Sequence, residues 1–384
     1  IFLPVVFVLF WLFAKNNLKL QTWVLLISSY LFYGWWDWRF LFLLAFSSVL
    51  DFFVGKFLHR EQNNSRRKFF FVLSMAVNLV FLGFFKYYNF FAESFASAFS
   101  MFGQDIKVDS LNIILPVGIS FYTFQSMSYA FDIYRRQLEP VKNIVPFMTF
   151  VAFFPHMVAG PIQRASFFLP QFLTLKKFDY SLASKGLKIM LFGFFMKVVI
   201  ADRAALYVDA VYGNVDLHTG WSFFMATFFF AFQIYGDFAG YSLIAIGCAL
   251  LFGFHMSPNF NRPYFSASFR DFWSRWHISL STWFRDYLYI PLGGNRGSKF
   301  RTYINLLATF VISGLWHGAN WTFIVWGALN AVYFLPLLLA DKNRQNIDAL
   351  SPNSLVPSFR EFRGILMTFL MTCFAWIFFR SSNM

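Results

Sequence analysis

Apolar runs separated by short polar gaps dominate this chain. Runs of membrane-helix character occupy 21–36, 40–58, 69–85, 111–131, 144–158, 187–201, 221–235, 241–254, 303–315, 321–339 and 365–379. A helix that crosses a bilayer needs about 20 such residues, and several of these runs are shorter. Others carry a breaker or a charge, as at Pro116-Val117-Gly118 and Tyr235-Gly236-Asp237. Broken helices are tolerated in a membrane where protein or a water-filled cavity covers the loosened backbone. The pattern therefore predicts an all-α polytopic membrane protein with about ten or eleven membrane helices, some broken or re-entrant, around a central funnel or tunnel. One membrane domain over 1–384 is expected, since neither an internal repeat nor a low-complexity linker stands out. The opening run 1–14 lacks a basic lead-in and a small-residue cleavage site, so it reads as the remnant of a first membrane helix rather than a signal peptide. Both ends of the chain read as cut.

One stretch, 266–292, breaks the pattern. Phe272, Trp276, Leu280, Trp283 and Tyr287 recur at three- and four-residue steps, which predicts an aromatic stripe on a helix or helix pair. Arg270, Asp271, Arg275, Arg285 and Asp286 lie off the stripe. Such an element lies at the membrane interface or lines a polar cavity, and Pro291-Leu292-Gly293-Gly294-Asn295 ends it with turn chemistry.

Composition agrees with a membrane protein. The 384 residues are 58% hydrophobic and 13% charged, with a mean hydropathy of +0.53. A soluble domain carries roughly a quarter charged residues. The net charge of +14 raises nucleic-acid binding as a first thought, but the bases cluster at 59–68, 135–142, 176–188, 296–301, 342–344 and 360–363, between apolar runs. That distribution follows the positive-inside rule, so no nucleic-acid partner is expected and most clusters should face the cytoplasm. Cys248 and Cys373 lie singly in apolar runs and imply neither a metal site nor a disulfide framework.

Candidate chemistry narrows to histidines. His59 and His218 sit in polar loops, His255 reads as interfacial, and His156, between Pro155 and Pro161, reads as a hydrogen-bonded residue at a broken helix. His277 lies in Arg275-Trp276-His277-Ile278-Ser279-Leu280-Ser281, and His317 in Leu315-Trp316-His317-Gly318-Ala319-Asn320-Trp321. A neutral imidazole accepts a proton from a hydroxyl near pH 7, and desolvation keeps it neutral. Gly318 and Ala319 leave room for a ligand, Asn320 shares a helical face with His317, and Trp316 and Trp321 can exclude water. The competing reading makes both imidazoles core residues bonded to backbone carbonyls. Asp51, Asp132, Asp202 and Asp237 could form a proton or ion path, or pair structurally with Lys56, Arg135, Arg203 and Tyr235 nearby in sequence. No Gly-x-Ser-x-Gly elbow, His-Glu-x-x-His, Cys-x-x-Cys or phosphate-binding glycine loop occurs.

At these motifs the chain resembles the membrane-bound O-acyltransferase superfamily, in its bacterial alginate O-acetylation branch. The resemblance runs nearly end to end, through Ser28–Trp36, Phe85–Phe90, Leu115–Gln125, Phe154–Pro161, Arg275–Tyr289, Gly293-Gly294-Asn295 and Gly314–Trp321. Its two histidine boxes stand 40 positions apart and in the same order. The resemblance implies an O-acyltransferase of the bacterial inner membrane that takes an acyl thioester, most simply acetyl-CoA, from the cytoplasm. It delivers the acyl group to hydroxyls of an extracytoplasmic glycan, directly or through a partner with an SGNH-type esterase-like site. No bound cofactor or metal is implied. His317 matches the catalytic histidine and His277 the second signature position. Arg275, Ser279, Arg285, Asp286, Trp316 and Asn320 are the candidates for binding or orienting substrate. Alginate, another exopolysaccharide and peptidoglycan stay open as acceptors, as does D-alanylation of teichoic acid. A polysaccharide exporter using the histidines for protons, and a non-catalytic scaffold, are the readings from other classes. One departure is Leu243, where relatives carry an acid after Gly-Tyr-Ser; relatives also continue past the final Trp-Ile-Phe-Phe-Arg run.

Overall fold

A computed structural model describes residues 1–104, 106, 108, 110–340 and 357–383. The basic cluster at 342–344 lies outside the described residues, as do three positions of the loop at 104–109. Among the described residues every regular element is helical. The first are α1 (Phe2–Val8), α2 (Leu18–Asp37), α3 (Arg39–Arg60), α4 (Asn64–Ser100), α5 (Ile119–Tyr134), α6 (Ile144–Ala152), α7 (Ala165–Phe168) and α8 (Tyr180–Phe194). There follow α9 (Asp202–Tyr212), α10 (Gly220–Leu251), α11 (Phe269–Arg275), α12 (Ile278–Phe284), α13 (Lys299–His317), α14 (Trp321–Leu339) and α15 (Phe359–Arg380). Five of them, α3, α4, α10, α14 and α15, are long and apolar enough to cross a membrane.

The helices gather into two compact units. The first holds residues Ile1–Met190 and Leu243–Ser257, the second Leu191–Ser242 and Pro258–Met384. In the first, α2, α3, α5 and α6 enclose a phenylalanine-rich core that includes Phe52, Phe147, Phe150 and Phe153, all buried. Polar clamps tie these helices together. Asp51, fully buried on α3, accepts from Ser74 Oγ at 2.6 Å and from Asn78 Nδ2 at 3.0 Å on α4. Lys56, the expected partner of Asp51, lies instead over the Phe52 ring. Arg67, from the basic cluster at 59–68, is buried and donates to the carbonyls of Leu58 and Tyr134. Those carbonyls lie at helix ends, where a cation satisfies orphan acceptors.

In the second unit α13 and α14 pack as an antiparallel pair against α11, and α15 packs on α14. The sequence predicts a break at Tyr235-Gly236-Asp237, yet α10 runs unbroken for 32 residues. Its glycines serve close packing. A β-carbon on Gly240 would stand 2.8 Å from the Gly193 carbonyl oxygen, so only glycine lets these backbones approach, as small residues do between membrane helices. The Asp237 carboxylate is neutralised by Lys197 at 2.5 Å, and Lys197 also reaches Asp202 at 2.6 Å. Lys197, rather than Arg203 or Tyr235, is thus the partner of both acids.

Candidate active site

The second unit brings the two signature histidines together. His317 is the last residue of α13, whose start Ser298 caps by accepting from Arg301 N. Its ring lies half-buried among Trp316, Trp326 and Phe379, with centroids 5.0, 5.2 and 5.2 Å away. The His277 ring centroid is 6.2 Å from that of His317. The two ring planes are inclined at 57°.

His277 sits where the aromatic segment breaks into two helices. Its backbone is left-handed, φ 43° and ψ 53°, a region that costs non-glycine residues roughly 1–2 kcal/mol. The helical hydrogen bonds are diverted to the neighbouring loop. Ile278 N donates to Asn259 O at 2.9 Å, and Asn261 N donates to Arg275 O at 2.9 Å. The Asn259 side chain accepts at Oδ1 from Ser279 Oγ at 2.9 Å and Ser279 N at 3.3 Å, and donates from Nδ2 to Ser242 Oγ at 3.1 Å. The break buries the His277 ring to 1% exposure, edge-on to Phe238 at 4.5 Å.

Neither His277 ring nitrogen has a hydrogen-bond partner among the described residues. The reading of His277 as a core residue bonded to a backbone carbonyl therefore fails. Buried polar groups are nearly always paired, and backbone strain of this kind gathers at functional sites. Burial first, and the charge of neighbouring His317 second, hold the His277 imidazole well below its ordinary pKa. It stays neutral, with one nitrogen to donate and one to accept.

The orienting candidates fall in different places. The Arg275 Nε is bound to Asp271 Oδ1 at 2.7 Å, one turn back on α11. Ser279 is buried and held by Asn259. Arg285 is exposed and chelates its neighbour Asp286 at 2.7 and 3.1 Å on a π-helical turn. Trp316 is buried against both histidines, whereas Trp321 is 53% exposed. Asn320 does not share a helical face with His317, because α13 stops at His317. It caps α14 instead, accepting from Thr322 N at 3.0 Å and donating to Ser382 O at 2.9 Å. Gly318 does not leave room for a ligand, since a side chain there would strike the Phe323 ring. Its smallness admits Phe323, which closes the α13–α14 corner.

A cavity of about 440 Å³ lies beside α13, and neither His277 nor His317 is among the residues that line it. Thr302, Leu306, Thr309 and Ser313, one face of α13, line it, with Ile278 of α12, Arg270 and Arg285. The next position along that face after Ser313 is His317, and Ile278 follows His277. Sequence reasoning misses Asn259 and Phe238. Their signal is faint: Asn259 stands in the turn-rich run Ser257–Pro263, and Phe238 in Asp-Phe-Ala-Gly-Tyr-Ser. That last stretch has two helical faces, 238 and 242 toward the His277 loop and 237 and 241 toward Lys197.

The third notable histidine belongs to the first unit, in the loop that follows α6. His156 is 2% exposed, and its Nε2 lies 3.0 Å from Gln125 Oε1. Because Gln125 Nε2 donates to Phe150 O, Oε1 is the acceptor and His156 Nε2 carries the proton. This is the hydrogen-bonded residue that the sequence predicts.

These features define a multi-pass helical membrane protein whose paired imidazoles suit proton transfer to and from a substrate hydroxyl. The sequence profile of the membrane-bound O-acyltransferase family (MBOAT) matches residues 135–382, and the chain belongs to that family. It is 41% identical over 392 residues to the probable alginate O-acetylase AlgI of Azotobacter vinelandii, covering 100% of this chain and 74% of that protein. Identity to the Pseudomonas aeruginosa protein of the same name is 41% over 389 residues, 100% of this chain and 71% of that one. The peptidoglycan O-acetyltransferase of Helicobacter pylori is 35% identical over 415 residues, 100% of this chain and 76% of its own.

Proposed function

We propose that this protein moves an acetyl group from a cytoplasmic thioester, acetyl-CoA, to hydroxyls of an extracytoplasmic alginate-like polysaccharide. The observation that carries the reading is the pair of imidazoles 6.2 Å apart, one of them buried, strained and without a partner. His317 acts as general base. It takes the proton of the acceptor hydroxyl as that oxygen attacks the thioester carbonyl. His277, neutral, donates one N–H to the developing oxyanion. When the C–S bond breaks, the thiolate leaves and takes the proton from His317. The acceptor is the glycan itself or a partner with an SGNH-type site.

The short helices α6, α11 and α12 support a reading with ten or eleven membrane-embedded segments, some broken or re-entrant, around a central tunnel. The match over 135–382 draws on both compact units, which supports one membrane domain. The inner membrane is the place where a cytoplasmic thioester and an extracytoplasmic glycan are both within reach. A second acceptor is favoured by the Helicobacter relative, peptidoglycan, and the 28% identity over 70% of this chain to the teichoic acid D-alanyltransferase of Bacillus subtilis keeps D-alanyl transfer in view.

Purified protein in detergent, given acetyl-CoA and de-O-acetylated alginate, should release free thiol and form ester on the glycan. Peptidoglycan fragments in a parallel reaction decide between acceptors. An exporter or scaffold releases no thiol, and that result with every acceptor would overturn the proposal.

A further inference from the structure

We propose that Asn259 is a positioning residue that holds His277 in its productive place. The inference rests on the acyl-transfer reading for its effect on rate, but its structural basis is separate. Asn259 joins three stretches that lie far apart in sequence. Its backbone carbonyl takes Ile278 N, its Oδ1 takes the hydroxyl and amide of Ser279, and its Nδ2 reaches Ser242 on α10. Both residues after His277 are thereby fixed to one side chain and its own main chain.

The chemistry requires such a device. A histidine at φ 43° relaxes toward ordinary helical or extended backbone unless its flanks are held. The next residue Phe260 stacks nearly parallel to the His277 ring, with centroids 6.4 Å apart, and Phe238, one turn before Ser242 on α10, meets the ring edge-on at 4.5 Å. Asn259 thus ties the backbone of His277 to the helix and the loop that carry its aromatic walls. Asn259 is 1% exposed and Ser242 is 2% exposed, so water does not compete for these bonds. Asparagine suits the task because one side chain offers an acceptor with two lone pairs and a donor at once. Neither alanine nor a hydroxyl residue reproduces that set at the same reach.

Two readouts on the full chain in detergent test the proposal. The first does not need activity: acylation of histidines by diethyl pyrocarbonate, mapped by peptide mass spectrometry. In wild type both His277 and His156 are shielded. In Asn259→Ala the His277 signal should rise at least tenfold while His156 stays constant as the internal standard. The second is kinetic, with acetyl-CoA and de-O-acetylated alginate. Asn259→Ala should lower kcat on the order of 10²-fold, the cost of about 1 Å of misplacement, with KM within about twofold. In a His277→Ala background the same change should cost almost nothing further, because the two act as one unit. Ser242→Ala, which removes one of Asn259's anchors and nothing from the loop, should give a smaller loss in the same direction and serves if Asn259→Ala fails to fold.

Unchanged reactivity of His277 in Asn259→Ala, or in Ser242→Ala if only that variant folds, overturns the proposal. So does a loss of kcat equally large with and without His277. If wild type releases no thiol, the transfer reading fails, and the reactivity of His277 alone still decides whether Asn259 holds it.

Discussion

Replacing His317 with alanine should lower acyl transfer by about 10²–10⁴-fold, the range that positioned general-base catalysis contributes, and leave the protein folded. The fold should survive because the walls of the ring support one another without it. Trp326 stacks on Trp376 with centroids 5.8 Å apart, and Phe379 meets Trp326 and Trp376 at 5.2 Å each. His317 is also the terminal residue of α13, so alanine, a good helix former, removes no interior turn. The measurement is thiol release per mole of monodisperse protein, with the unfolding temperature taken on the same sample. Wild-type turnover in a well-folded His317→Ala protein would exclude His317 as the base.

The chain's pattern carries the two histidine boxes more fully than the fold around them. Both histidine boxes are legible because a titratable ring beside tryptophans is rare in so apolar a chain, and the structure sets those rings side by side. The helix pair is legible from its aromatic spacing: Phe272, Trp276, Leu280, Trp283 and Tyr287 are all buried. Glycine misleads twice, for one physical reason. In water a helical glycine weakens the helix, so Gly236 reads as a break. Between membrane helices the missing side chain lets backbones meet, and α10 continues through Gly236 and Gly240 alike. Gly318 reads as room for a ligand, but a neighbouring phenylalanine takes that room. The spacing of Asn320 from His317 implies a shared face only on one continuous helix, and the corner after His317 ends it. Asn259 is out of reach altogether. Its partners lie 17 and 20 positions away, and nothing local distinguishes an asparagine that bridges motifs from one that merely forms a turn. The π-helical turn at Arg285–Tyr289, a feature often found at functional sites, also has no signature in hydrophobic period.

His277 should prove nearly as sensitive as His317, and its substitutions separate chemistry from backbone. As the donor to the oxyanion, its loss in His277→Ala should reduce kcat by about 10²–10³-fold. His277→Asn is the informative variant. Asparagine tolerates left-handed backbone better than most residues and keeps a side-chain N–H donor, so it should fold as wild type does and recover part of the rate. His277→Val tests the opposite limit. A β-branched residue at φ 43° is a severe outlier, so membrane yield and unfolding temperature should fall along with activity. The order expected for turnover per folded molecule is histidine, asparagine, alanine; the order expected for stability puts asparagine with histidine and valine last. If asparagine were no more active than alanine, His277 would act as more than a hydrogen-bond donor. Its unpartnered, uncharged ring would then have to exchange a proton itself, which makes the two imidazoles a relay rather than a base and a donor.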